Sequence, residues 1–268
     1  MTDTSTAPTT GLSIELASGA VQVQTGGSGP PLLLLHHDVG PMGWGAFQAD
    51  LAQHFTVFAP DMPGFGDSPR VDWARHPRDL AAIMLALARK AGIKDYTLVG
   101  LGFGGWVAAE MASFAGPDLA AMVLSAPAGI RPDATFILDQ VMEDPFAYLR
   151  AGFGSSEAFA AHFPDPKDKD LRARLEQSRE TIARVSWKPY MYSYELPETL
   201  KEVHLPVTVV WGEKDAVIPP ECAGLFAGAL PRCEVRRLPV EGHFLELEHP
   251  ALLASVVRDA FQAATRKR

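Results

Sequence analysis

Five short apolar runs recur along this chain, each bounded by residues that turn or break a backbone. Leu32-Leu33-Leu34-Leu35 follows the turn-rich Gly26-Gly27-Ser28-Gly29-Pro30-Pro31. Thr56-Val57-Phe58-Ala59, Tyr96-Thr97-Leu98-Val99, Ala121-Met122-Val123-Leu124 and Val207-Thr208-Val209-Val210-Trp211 repeat the pattern. A short unbroken apolar run between turn signals suits a strand buried on both faces of a parallel sheet. Helical patterns occupy residues 46–54, 78–91, 105–114 and 220–230. Strands alternating with helices predict right-handed crossovers and an α/β fold built on a mostly parallel, doubly wound sheet.

Two features depart from that rhythm. Before the first run, Ser13-Ile14-Glu15-Leu16 and Val21-Gln22-Val23-Gln24 flank Ser18-Gly19 and read as a hairpin. Between Ile130 and Leu205 no buried strand is legible, only amphipathic helical material over residues 135–149 and 168–187. The expected organisation is a flexible tail over residues 1–11, a core formed by 12–130 and 205–268, and a helical cap over 131–204. The cap carries Phe146, Tyr148, Phe153, Phe159, Phe163, Trp187, Tyr190, Tyr192 and Tyr194. These aromatics either line a substrate pocket, for which Trp187 and Tyr190 are the candidates, or pack the cap onto the core.

Composition narrows the function classes. A chain of 268 residues, 47% hydrophobic, can bury one large core. Its formal net charge is −8, and its only basic cluster is Arg266-Lys267-Arg268, so a nucleic-acid partner is not expected. Cys222 and Cys233 form no CxxC, and no histidine set near them reads as a zinc site. Neither a metal nor a cofactor is expected, and a reducing cytoplasm is the simplest location. The first residues lack both a cationic start and an apolar run, so they do not read as a signal peptide. No run approaches the ~20 apolar residues a membrane span needs, and a soluble protein with a small, largely apolar ligand is expected.

The chemistry lies in four blocks. Leu35-His36-His37-Asp38-Val39-Gly40 follows the first run; Asp61-Met62-Pro63-Gly64-Phe65-Gly66-Asp67-Ser68 follows the second. Gly100-Leu101-Gly102-Phe103-Gly104-Gly105 joins a strand to a helix, the setting of the GxSxG nucleophile elbow, with glycine where serine would stand. Trp211-Gly212-Glu213-Lys214-Asp215 and then Glu241-Gly242-His243-Phe244 complete the set. In this order the blocks resemble the α/β-hydrolase superfamily over nearly all of the chain after the tail.

The resemblance implies that Asp215 is the acid that holds His243, and His243 the base. Taken alone, Asp215 could cap the helix after Pro219-Pro220, and His243 could be a buried bystander. The backbone amides of His37 and Phe103 are the implied oxyanion donors. His37 stands where the family usually has a small residue, so it narrows the pocket or adds a proton donor, while Asp38 brings a carboxylate close to the reaction. His36 reads as packing and His249 as structural. Asp61 and Ser68 read as local backbone partners. Ser125 lines the pocket or stands in as nucleophile.

With Gly102 at the vacant nucleophile position, no serine ester can form there. Three readings follow: an enzyme in which the open space beside His243 admits water or a substrate hydroxyl, a catalytically silent small-ligand binder, or a serine hydrolase inactivated by a Ser-to-Gly change. For the enzyme, the substrate class is an ester, thioester, lactone or ketone-type small molecule. Gly100, Gly102 and Gly105 also match the spacing of a dinucleotide-binding GxGxxG, a lesser alternative because no ribose-binding acid follows the next strand.

Overall fold

The computed structural model describes residues 9–165 and 167–266. Its sheet has eight strands; with β1 (Thr9–Leu16) and β2 (Gly19–Gly26) at one edge and β8 (Cys233–Glu241) at the other, the order is β1-β2-β4-β3-β5-β6-β7-β8. The five apolar runs are its central strands: β3 (Pro31–Leu35), β4 (Thr56–Pro60), β5 (Tyr96–Leu101), β6 (Leu119–Ser125) and β7 (Val207–Lys214). All pair in parallel with their neighbours in that block. They are unbroken because both sheet faces are covered. Leu33 and Leu35 enter one core and Leu32 and Leu34 the other, as the two-residue strand period requires.

The first face carries α2 (Pro77–Lys90), α3 (Phe103–Phe114) and α8 (Cys222–Ala229), which bury Met84, Leu87, Val107 and Phe226. On the second face α1 (Ala46–Leu51) and α10 (Pro250–Thr265) supply Phe47, Leu51, Leu253 and Val257. Four further helices lie between β6 and β7: α4 (Pro145–Ala151), α5 (Ser156–His162), α6 (Lys169–Val185) and α7 (Leu196–Leu200). A one-turn helix, α9 (Leu245–Glu248), follows His243. Among the described residues no helix is long and apolar enough to cross a membrane.

Three expectations need correction. Thr9, Thr10 and Gly11, read as tail, belong to β1 (Thr9–Leu16), where they pair antiparallel with the end of β2 (Gly19–Gly26). The sheet ladder orders polar residues that carry no strand signal of their own; the rest of the expected tail lies outside the described residues. The edge strand β8 (Cys233–Glu241) was not legible at all. With Glu234, Arg236 and Arg237 in it and one buried residue, Leu238, it has no apolar run, and it exists because β7 offers a parallel partner. The helix expected from residue 135 starts only at Pro145. Asp144 before proline is extended, at φ −63° and ψ 137°, and its carboxylate accepts from the amides of Phe146 (2.9 Å) and Ala147 (3.2 Å).

Candidate active site

The chain turns from β5 into α3 at Gly102, whose φ of 51° and ψ of −113° lie in a region that L side chains rarely adopt. The Gly102 amide donates to the Ser125 carbonyl (2.9 Å), and its own carbonyl accepts from Ala128 (3.0 Å), which pins the turn to the end of β6. A Cβ at position 102 would collide with Nδ1 of His37 and lie 3.0 Å from Nε2 of His243. The sequence suggested open space there for a water or substrate hydroxyl. Instead the His37 imidazole fills it. Gly100 and Gly105 serve the crossing of strand and helix, since a Cβ on Gly100 would lie 2.6 Å from the Gly105 Cα.

Asp215, just past β7, touches His243 and the turn that follows the strand; the expected cap of the helix after Pro219-Pro220 is not made, because α8 begins only at Cys222 with Glu221 as its N-cap. One oxygen accepts from the amides of Val217 (2.8 Å) and Ile218 (2.9 Å), and the other meets Nδ1 of His243 at 2.7 Å. The His243 amide donates to the Gly152 carbonyl at the end of α4 (2.6 Å), and the side chain is wholly buried. Burial disfavours the imidazolium, but the Asp215 charge and hydrogen bond outweigh it, so the His243 pKa is raised above its ordinary value.

A second histidine–acid pair faces the first. Nε2 of His37 lies 3.1 Å from a Glu246 oxygen, and both residues are buried. The His37 and His243 rings meet edge to face with centroids 4.8 Å apart. Each ring therefore has its far nitrogen on a carboxylate, while its near nitrogen, Nδ1 of His37 or Nε2 of His243, has no hydrogen-bond partner in the protein.

Asp38 completes the cluster. One of its oxygens accepts from the Tyr148 hydroxyl (2.5 Å) and the Gln140 side-chain amide (2.7 Å); the other is buried and unpartnered. One ligand-capable side-chain atom from each of His37, Asp38 and His243 lies within 4.8 Å of the other two. Among the described residues, these three could together hold a metal ion. The sequence named all three residues for one site, but as base, oxyanion donor and pocket wall; their convergence as possible ligands was not legible, because residues 37–38 and 243 meet only through the fold.

The remaining candidates divide. Phe103 opens α3, so its amide is among those of the first turn with no intrahelical acceptor. Ser125 Oγ is buried without a partner, as is His243 Nε2, so the two are not bonded to each other. Tyr190 sits one step back, donating its hydroxyl to the Leu138 carbonyl and accepting from the Gln140 amide (2.8 Å). Trp187 was expected in the pocket, but it is 49% exposed and borders a surface cavity with Arg75 and His76. It follows the end of α6, whose buried face is already filled by Ile182 and Val185. His36 packs as expected: Nδ1 meets its neighbour's carbonyl (2.7 Å), Nε2 accepts from Met62 (3.0 Å), and burial pushes its pKa down to about 4. Asp61 bonds locally to the Asp67 amide, whereas Ser68 reaches back to Gln22 in β2.

Sequence reasoning missed Glu246 and Gln140. Glu246 is one of several acids in Glu241-Gly242-His243-Phe244-Leu245-Glu246-Leu247-Glu248, and only the turn of α9 selects it for burial. Gln140 carried no signal in an irregular segment.

An elbow between strand and helix, with an acid-held histidine arriving from beyond the last central strand, defines the α/β-hydrolase class. Residues 32–256 match the model of the alpha/beta hydrolase family, and the chain belongs to that family. The chain is 28% identical to a 2-hydroxymuconate semialdehyde hydrolase of Pseudomonas sp. (strain CF600), over 94% of each chain. It is 24% identical to a pimeloyl-[acyl-carrier protein] methyl ester esterase of Aeromonas salmonicida (strain A449), over 89% of this chain and 98% of that one. A 2-hydroxy-6-oxo-6-phenylhexa-2,4-dienoate hydrolase from Rhodococcus sp. strain RHA1 shares the fold at TM-score 0.72 and 21% identity, covering 95% of this chain and all (100%) of that one.

Proposed function

We propose that the protein is a small-molecule hydrolase that works without an acyl-serine intermediate. His243, oriented by Asp215, removes a proton from water as the water oxygen attacks a carbonyl carbon. His37, oriented by Glu246 and protonated at Nδ1, returns a proton to the departing group. The amides of Phe103 and His37 stabilise the oxyanion between the two steps. The observation that carries this reading is the His37 ring over Gly102: the place of a nucleophile side chain is taken by a second acid-supported imidazole. Acid–base catalysis of this kind supplies ~10²- to 10⁴-fold and an oxyanion hole with binding ~10³- to 10⁴-fold, enough for an activated substrate.

The substrate class is an ester, thioester, lactone or ketone-type molecule of largely apolar character, in keeping with the names of the relatives. His243 and Asp38 are fully buried beneath the segment between β6 and β7, which contributes Tyr148 and Gly152 to the site. That segment acts as a cap and opens to admit substrate. Filling of the elbow by a paired histidine favours a native glycine over an inactivated serine enzyme.

The test is a turnover screen on short esters, thioesters, lactones and 2-hydroxymuconate semialdehyde, with wild type beside His243→Ala, His37→Ala and Asp215→Asn. Loss of ~10²-fold or more in kcat for His243→Ala is expected. Mass spectrometry during turnover should find no acylated protein. An acyl adduct on Ser125 or any other residue sinks the proposal, and so does ligand binding with no turnover in any of the proteins.

A further inference from the structure

We infer that His37, Asp38 and His243 form a binding site for a divalent first-row transition metal ion such as Zn²⁺. The site is the same cluster to which the acid–base reading is assigned, but the inference does not depend on turnover.

The donor set is two imidazoles and a carboxylate, a combination that suits zinc, iron(II), cobalt and nickel. Each donor atom is oriented from behind. The far nitrogen of His37 is on Glu246 and that of His243 on Asp215, so a neutral ring that keeps its proton on the carboxylate side presents a lone pair at its near nitrogen, the state a metal ion would select over the Nδ1-protonated His37 of the acid–base reading. Asp38 is held through one oxygen by Tyr148 and Gln140, which leaves the second oxygen buried and without a partner. Metal-ligating histidines characteristically donate their other N–H to a carboxylate, which fixes the ring and raises its basicity. Here both histidines have that support, and all three candidate ligand atoms are buried and unpartnered.

Charge points the same way. Asp38, Asp215 and Glu246 are each less than a tenth exposed and surround two imidazoles that are neutral unless protonated. Three buried carboxylates with converging lone pairs between them call for positive charge, supplied by protons or by a cation. Gly102 makes the convergence possible, because any side chain there would intrude between the two ring nitrogens. Ligand atoms on a tetrahedral zinc ion are about 3.3 Å apart for bonds of about 2.0–2.1 Å. Atoms within 4.8 Å of one another therefore close in by up to about 1.5 Å on binding.

A metal ion takes the lone pair of His243, so the metal-loaded protein does not use His243 as the base. A bound ion would instead lower the pKa of a water ligand.

The test is metal binding, with no substrate present. Chelator-stripped full-length protein is titrated calorimetrically with Zn²⁺, and the Co²⁺ form is examined by visible absorption and X-ray absorption. We expect one equivalent bound with a Kd of about 1 µM or tighter, and a metal shell containing two imidazoles. His37→Ala, His243→Ala and Asp38→Asn should each weaken binding by about 100-fold or more, and Glu246→Gln by ~10- to 100-fold. His54→Ala, remote from the cluster, should change nothing. The inference is overturned if wild type binds no Zn²⁺ under these conditions, or if the bound metal has no imidazole in its shell, a result independent of how any variant folds. It is equally overturned if the folded His37→Ala, His243→Ala and Asp38→Asn variants bind as wild type does.

Discussion

Gly102 is where one missing side chain reorganises the surroundings. Its left-handed backbone and the collision that a Cβ would make with His37 disfavour every other residue. Gly102→Ala should therefore lower stability by about 1–3 kcal/mol, read as a shift in the urea midpoint. Gly102→Ser by itself should gain no esterase activity, since the new side chain and the His37 ring compete for one place. Combined with His37→Ala, the serine has room beside His243, and a burst of p-nitrophenol from short p-nitrophenyl esters is expected. A burst from the single variant would show that His37 yields readily and does not own the space. Asp38 presents a second residue-scale test. Tyr148→Phe removes the donor at 2.5 Å, leaving a buried carboxylate dependent on Gln140, and should cost about 1–3 kcal/mol in urea denaturation.

At the scale of elements, α2 carries a pH-sensitive start. His76 is its N-cap: Nδ1 accepts from the Arg78 amide at 3.1 Å, which requires the neutral ring. Burial lowers the His76 pKa, although the Glu110 charge opposes this. The unfolded chain thus binds the proton more readily than the folded one. Stability from this group is complete above the unfolded pKa of about 6.5 and declines as pH falls below it. His76→Asn keeps a capping acceptor that does not titrate, so its urea midpoint should fall less than that of wild type between pH 7 and pH 5. Parallel curves for the two proteins would remove His76 from the account. The elements also show what sequence patterning can convey. Strands β3 to β7 were legible because burial on two faces demands unbroken apolar runs. β8 was not, because an edge strand with charged residues is held by its ladder, and residues 135–144 were misread because helical periodicity says nothing about where Asp144-Pro145 permits a helix to begin.

The whole molecule combines a sheet buried on both sides with a segment that closes its carboxyl end. Tyr148 on Asp38, the Gly152 carbonyl on His243 and the Gly154 amide on Glu248 (2.8 Å) tie this segment across the site. On the proposed function, substrate reaches the fully buried His243 and Asp38 when those ties open while the sheet stays intact. Hydrogen exchange should accordingly find amides of α4 and α5 exchanging through local opening, with β3, β5 and β6 protected to the level of global unfolding. Exchange of α4 only by global unfolding would argue against a moving cap.

The sequence by itself determined the class of fold and the positions of Asp215 and His243, because apolar periodicity and turn chemistry are local properties and the motif blocks keep their order along the chain. Tertiary structure alone decided what occupies the space over Gly102. The His37-Asp38 pair, Gln140 and Glu246 come from three distant parts of the chain, and Gln140 and Glu246 are ordinary in their local contexts. Only sheet topology and the packing of α9 and the β6–β7 segment bring their polar atoms into one buried volume, where unpaired lone pairs and carboxylates acquire chemical consequence. The elbow glycine is thus a local signal whose meaning is set by a histidine from another strand's end.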